Sequence, residues 1–205
     1  NAQGFLGQSR LMSPPSPADV LAFWFGHPGE PEYGQPRNLW FRKDAAFDSE
    51  IRKRFLASTD AALAGELAAW ADRPASALAL LILLDQFPRN LFRNDTKAFS
   101  GDAQTRLIAL SAIEKGWEKP LLAVEKLFVY LPFEHSESLA DQERSVALFT
   151  ELAAKHPGCD DFLDYALRHH EIIRRFGRFP HRNAALSRPS TAEETIYLAQ
   201  PGSGF

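Results

Sequence analysis

The chain has 205 residues, of which 45% are hydrophobic and 24% charged. That balance supports one globular domain with a real core and excludes a disordered or fibrous chain. Lys and Arg number 23 against 26 Asp and Glu, a net charge of −3, which argues against a nucleic-acid or membrane-surface binder. The one cysteine, Cys159, forms no internal disulfide or Cys-based metal site and requires no oxidising compartment.

Asn1 to Pro17 lacks the basic block and apolar core of a secretory signal, and is expected to be a disordered or tag-derived segment preceding one domain over 18–205. The only methionine, Met12, is a candidate natural start. The longest apolar run, Ala77 to Leu84, is far short of the ~20 residues that cross a bilayer. A soluble, cytoplasmic protein is the expectation.

Helix signals then follow in order. Ser16-Pro17-Ala18-Asp19 opens a helix that stops at Gly26, and Gly26 to Pro36 reads as a loop. Asp44 can cap a long helix with Phe47, Ile51, Phe55 and Leu63 near helical spacing; Gly65 interrupts it, and Leu67 and Trp70 continue on a short helix. Pro74 starts a helix that is apolar on every face through Leu84. This predicts a buried central helix, ended by Pro88. Ser100-Gly101-Asp102 opens the next, carrying Leu107, Ile108, Leu110 and Ile113, with Gly116 as its stop.

Leu121 to Ser136 reads as a helix that Pro132 kinks or breaks, and Ser138 to Asp141 as the cap of a helix through Ala154. A helix from about Asp161 to Phe176 ends at Gly177, with Phe162, Tyr165, Ala166, His169, Ile172, Ile173 and Phe176 on its apolar stripe. Ser190-Thr191-Ala192-Glu193 opens a last short helix in a capping-box pattern. No stretch alternates with the two-residue period of a strand. The fold class is all-α, with short connectors favouring antiparallel helix pairs.

Three polar clusters do not fit a plain core. Asp85, at the end of the central helix, is opposed by desolvation and by the helix dipole, so it needs a partner: Arg89 one turn on, or Arg182 at long range. A structural ion pair is the plainer alternative. Glu134, His135 and Glu137 follow Pro132, with the two carboxylates spaced to share a helical face. Such a group suits proton transfer or a divalent cation, or else a solvated surface. The third cluster is His169 with Arg174, Arg175, Arg178, His181, Arg182 and Asn183 around Gly177 and Pro180. Arginine forks there suit a small carboxylate or phosphate, or equally the free carbonyls of a helix end. The sequence contains no H-E-x-x-H, G-x-S-x-G, Walker or G-x-G-x-x-G motif, and His135, His169 and His181 are not spaced to demand a metal. No metal or cofactor is assigned.

Several motifs occur in one order: Ala22-Phe23-Trp24-Phe25-Gly26, Trp40-Phe41, Leu84-Asp85-Gln86-Phe87-Pro88-Arg89-Asn90, Tyr130-Leu131-Pro132-Phe133-Glu134-His135-Ser136-Glu137, Asp141-Gln142, and Phe176-Gly177-Arg178-Phe179-Pro180-His181-Arg182-Asn183. Over about Ala18 to Ala199 this set resembles family 924 of the domains of unknown function (DUF), a mainly bacterial group placed with the tetratricopeptide-like helical folds. The resemblance implies antiparallel helix pairs in a right-handed superhelical array, a fold that presents a concave surface to a partner or ligand. It implies no activity. Its signature positions coincide with the three clusters: Asp85, Gln86, Arg89, Asn90, Glu134, His135, Glu137, Asp141, His169, Arg178, His181, Arg182 and Asn183.

Two functional expectations follow. In the first the clusters converge on a pocket for a small anionic molecule. Asp85, Arg89, Asn90, Glu137, His169, Arg178, Arg182 and Asn183 form the binding set, and Glu134, His135 and His181 move a proton. In the second the chain is a non-enzymatic helical adaptor for a protein partner, and the same residues are buried clamps.

Overall fold

The computed structural model describes residues 13–204. Residues 1–12 and the last residue lie outside, and with them Met12 and most of the segment expected to be disordered or tag-derived. Ser16 and Pro17, the end of that segment, begin the first helix, α1 (Pro17–Phe25). Asp19 donates its N–H to the Ser16 hydroxyl, and its carboxylate accepts the Ser16 N–H at 2.7 Å. The helix buries Val20, Trp24 and Phe25. A 3₁₀ turn at Asn38–Trp40 then brings Trp40 onto Trp24, with ring centroids 6.1 Å apart and the Trp40 indole N–H donating to the Trp24 carbonyl at 3.0 Å. Helix α2 (Ala45–Leu63), capped by Asp44, buries Phe47, Ile51 and Phe55, while Leu63 is only partly covered.

Helix α3 (Pro74–Leu81) runs into a π-helical turn at Ile82–Gln86 and then into α4 (Phe87–Leu91). Every residue from Ala77 to Leu84 is buried, as the unbroken apolar pattern requires, and burial continues through the polar Asp85 and Gln86 to Pro88. Pro88, expected to end the helix, does not. The π turn resets the hydrogen bonding, with Phe87 N–H reaching back to Ile82, so Pro88 falls in the first turn of α4. A missing N–H costs little there. The same proline deprives the Leu84 carbonyl of its i+4 donor, and Gly101 packs against that carbonyl: a Cβ on Gly101 would lie 2.1 Å from the oxygen. Helix α5 (Asp102–Glu114) follows directly, burying Thr105, Ala109 and Ala112 and leaving Leu107 exposed.

Helix α6 (Ala123–Glu134) runs through Pro132 rather than breaking there. The proline lies in the last turn, and His135 N–H still closes onto Leu131 at 2.9 Å. Ser138 stands at the N-cap of α7 (Leu139–Lys155), but its side chain makes no capping bond; the Ser136 hydroxyl binds Asp141 instead. Helix α8 (Asp160–Phe176) is strongly amphipathic and ends at Gly177, whose φ of +68° forms a left-handed cap. Its buried stripe includes Ala166, His169, Ile172 and Ile173, whereas Tyr165, expected on that stripe, is half exposed. Helix α9 (Ala192–Leu198) is capped by a box one residue later than expected, Thr191 with Glu194.

Helix α1 packs on α3, α2 on α4, and α3 on both α5 and α6. From α5 onward each helix packs on its successor through α8. Four-residue connectors, 135–138 and 156–159, join α6 to α7 and α7 to α8. Among the described residues there is no strand, and no helix is long and apolar enough to cross a membrane.

Candidate functional site

The π turn, the loop after α6 and the turn after α8 meet at one place, beside the start of α5. Asp85, 1% exposed, comes from the π turn. Its carboxylate meets His135 Nδ1 at 2.8 Å and Arg89 Nη1 at 3.0 Å, and it accepts the Gln86 amide at 2.5 Å. The neighbouring imidazole and guanidinium outweigh burial and hold its carboxyl well below the usual range. Arg89 also forks onto Asp102, at 2.9 and 3.1 Å. The other oxygen-sharing partner of Asp102 is Arg182, at 3.1 Å, whose Nη2 donates to the His135 carbonyl at 3.0 Å. Thus one carboxylate bridges two guanidiniums that stand far apart in sequence.

The Arg182 guanidinium is sandwiched between the rings of Phe99 and Phe179, at 4.7 and 4.6 Å. Burial and the like charge of Arg89 push its pKa down to about 10. His135 sits at the C-cap of α6 and keeps 14% of its side chain exposed. Its Nδ1–H points at Asp85, and burial with the Arg89 charge lowers its pKa, so the ring is neutral at pH 7 with Nε2 an acceptor. His181, packed on Phe179 with ring centroids 5.5 Å apart, is pushed down to about 4 by burial, Arg182 and Arg89. Both rings are thus held neutral chiefly by burial, with the neighbouring guanidiniums adding to the effect.

Glu134 is buried at the end of α6, with His169 Nδ1 3.1 Å from its Oε1. Burial, then the Asp85 charge, raises its pKa to about 8. The His169 Nδ1–H also donates to the Tyr165 carbonyl at 2.8 Å, and burial lowers that ring's pKa far below its ordinary value.

Other expected site residues lie elsewhere. Glu137 does not share a helical face with Glu134, because α6 ends between them; it forks onto Arg188 and accepts the Phe179 N–H at 2.8 Å. Asn90 donates to Asp48, at 2.7 Å, and not toward His135. Arg178 forks onto Glu194, and Asn183 contacts Ser190, Glu194 and Arg188, so both tie α9 and its approach to the turn after α8. Asp141 binds Ser136 and Arg106, and Gln142 donates to the Glu134 and Ser136 carbonyls, which fixes the bend. Asp102, Phe99 and Arg188 were not among the expected site residues. Asp102 looks like an ordinary acidic first-turn residue, and Arg188 lies in a loop without periodicity. Among the described residues, no three His, Cys, Asp or Glu side chains are arranged to hold a metal.

The family model for "Bacterial protein of unknown function (DUF924)" matches residues 20–202. A solved structure of a protein of unknown function from Agrobacterium tumefaciens is 39% identical and superposes with a TM-score of 0.77, over 89% of this chain and 96% of that one. Comparison with curated proteins gave no match. A match spanning nearly the whole chain, together with a structure that shares its fold at this identity, places the protein in the DUF924 family.

Proposed function

We propose that the cluster is a small-molecule site that takes a negatively charged group at the part-exposed edge of Arg89, with Arg182 buried behind it. His135, oriented by Asp85, accepts a proton from the bound molecule, and Glu134 and His181 complete the acid–base set. The observation that carries this reading is the convergence of three distant segments on Asp102 and His135. Two further features support it. Asp85 sits on a π turn, a costly irregularity that recurs at functional sites. A buried carboxylate against Nδ1 sets the tautomer that leaves Nε2 as a base. We read the succession of antiparallel helices as a tetratricopeptide-like array, which the order of neighbours from α5 to α8 supports.

One observation favours a second reading, a non-enzymatic adaptor with structural clamps. Arg89, Arg182, Arg178 and Arg188 are each already engaged by a carboxylate. Thermal-shift titration with inorganic phosphate, pyrophosphate, and di- and tricarboxylates separates the two. A ligand at 100-fold its Kd adds about 2.7 kcal/mol, which is roughly 5–10 °C for a chain of this size. The site reading expects such a rise with at least one probe, abolished by His135→Gln. Unchanged melting with all of them, in a protein that His135→Gln merely destabilises, would establish the clamp.

A further inference from the structure

Two carboxylate–imidazole pairs lie back to back in the cluster: Asp85 with His135, and Glu134 with His169, the two rings 6.3 Å apart. Their surroundings differ. Asp85 has Arg89 at 3.0 Å as well as the imidazole N–H and the Gln86 amide, so its charge is answered. Among the described residues no guanidinium pairs with Glu134, and the His169 N–H that faces it is shared with the Tyr165 carbonyl. That second bond places the His169 hydrogen on Nδ1, since a carbonyl can only accept. An ionised Glu134 would then be a buried charge without a cation, near the fixed charge of Asp85.

We propose that Glu134 holds a proton at neutral pH and is the resident acid of the site, complementary to the Asp85–His135 base. Its environment divides two chemically similar carboxyls into opposite roles, the arrangement expected of an acid–base pair. On donation the Glu134 O–H bond breaks, the proton joins a basic atom of the bound molecule, and the carboxylate left behind accepts the His169 N–H. This donation step rests on the small-molecule reading above; the protonation itself does not, and it is tested on the protein alone. The charged and titratable groups facing the pair are Asp85 from the π turn, His135 from the C-cap of α6, and His181 and Arg182 from the turn after α8.

Difference infrared spectra of the wild type against Glu134→Gln test it. The expected result is the carbonyl band of a protonated carboxyl at pH 7 that Glu134→Gln lacks. Should that variant not fold, ¹³C-glutamate NMR of the wild type gives the same answer as one carboxyl titrating near 8. A Glu134 already ionised at pH 6, or a doubly protonated His169 ring, would overturn it. A protonated Glu134 in a protein that binds none of the anionic probes would leave this inference standing and remove the small-molecule reading.

Discussion

Asp102 ties the turn after α8 to the π turn, because its carboxylate accepts hydrogen bonds from both Arg89 and Arg182. Asp102→Asn keeps its shape but leaves two guanidiniums facing each other over a neutral group. A loss of about 1–3 kcal/mol is expected by urea denaturation, the range for an unsatisfied buried partner. Gly101→Ala acts one residue earlier: its Cβ would strike the Leu84 carbonyl, forcing α5 away from the π turn. About 1–3 kcal/mol is again expected, as for other overpacked positions. Some of this was legible in the sequence. Asp85 stands out as a charge closing an apolar helix, and the demand for a cationic partner identifies Arg89. Asp102 does not stand out, because an acidic residue in a first turn has a sufficient local reason to be there.

At the scale of elements, periodicity and capping residues locate the helices well, and the errors fall where one proline was weighed alone. Pro88 and Pro132 are both breakers by rule. The first is absorbed by a π turn and the second by its place in a last turn, neither of which has a residue signature. Helix α9 shows how an element can be held by charge more than by core. It packs against the turn after α8 with Tyr197 on Phe176, and its anchor is the Arg178–Glu194 fork. The Arg178 hydrogen bonds lower the Glu194 pKa to about 2. A depressed carboxylate stabilises above its unfolded value, near 4.5, and loses that contribution as pH falls toward 2. Hydrogen exchange should therefore show α9 protected down to about pH 4, while Arg178→Ala raises its exchange at pH 7 and leaves α3 unchanged.

For the whole molecule, the polarity of the clusters demands that their charges be answered, as the clamp alternative expects, but the partners that α5 and the loop before α9 supply, Asp102 and Arg188, carry no signal in the sequence. Two groups of the cluster give stability opposite pH slopes. Glu134, raised from 4.5 to about 8, destabilises the fold increasingly as pH rises through that window. His181, lowered from 6.5 to about 4, destabilises it as pH falls between those values. Urea midpoints of Glu134→Gln relative to wild type should thus improve from pH 5 to pH 8, and those of His181→Gln should improve from pH 7 to pH 4. The central claim is that His135 is a neutral base held by Asp85 beside Arg89 and Arg182. Side-chain ¹⁵N NMR of the histidines, recorded with and without the best-binding anionic probe, tests it most directly. The account predicts a neutral Nδ1–H tautomer for His135 at pH 7, with its Nε2 resonance shifting on addition of the probe. A ring that titrates near its ordinary 6.5 and ignores every probe would contradict it.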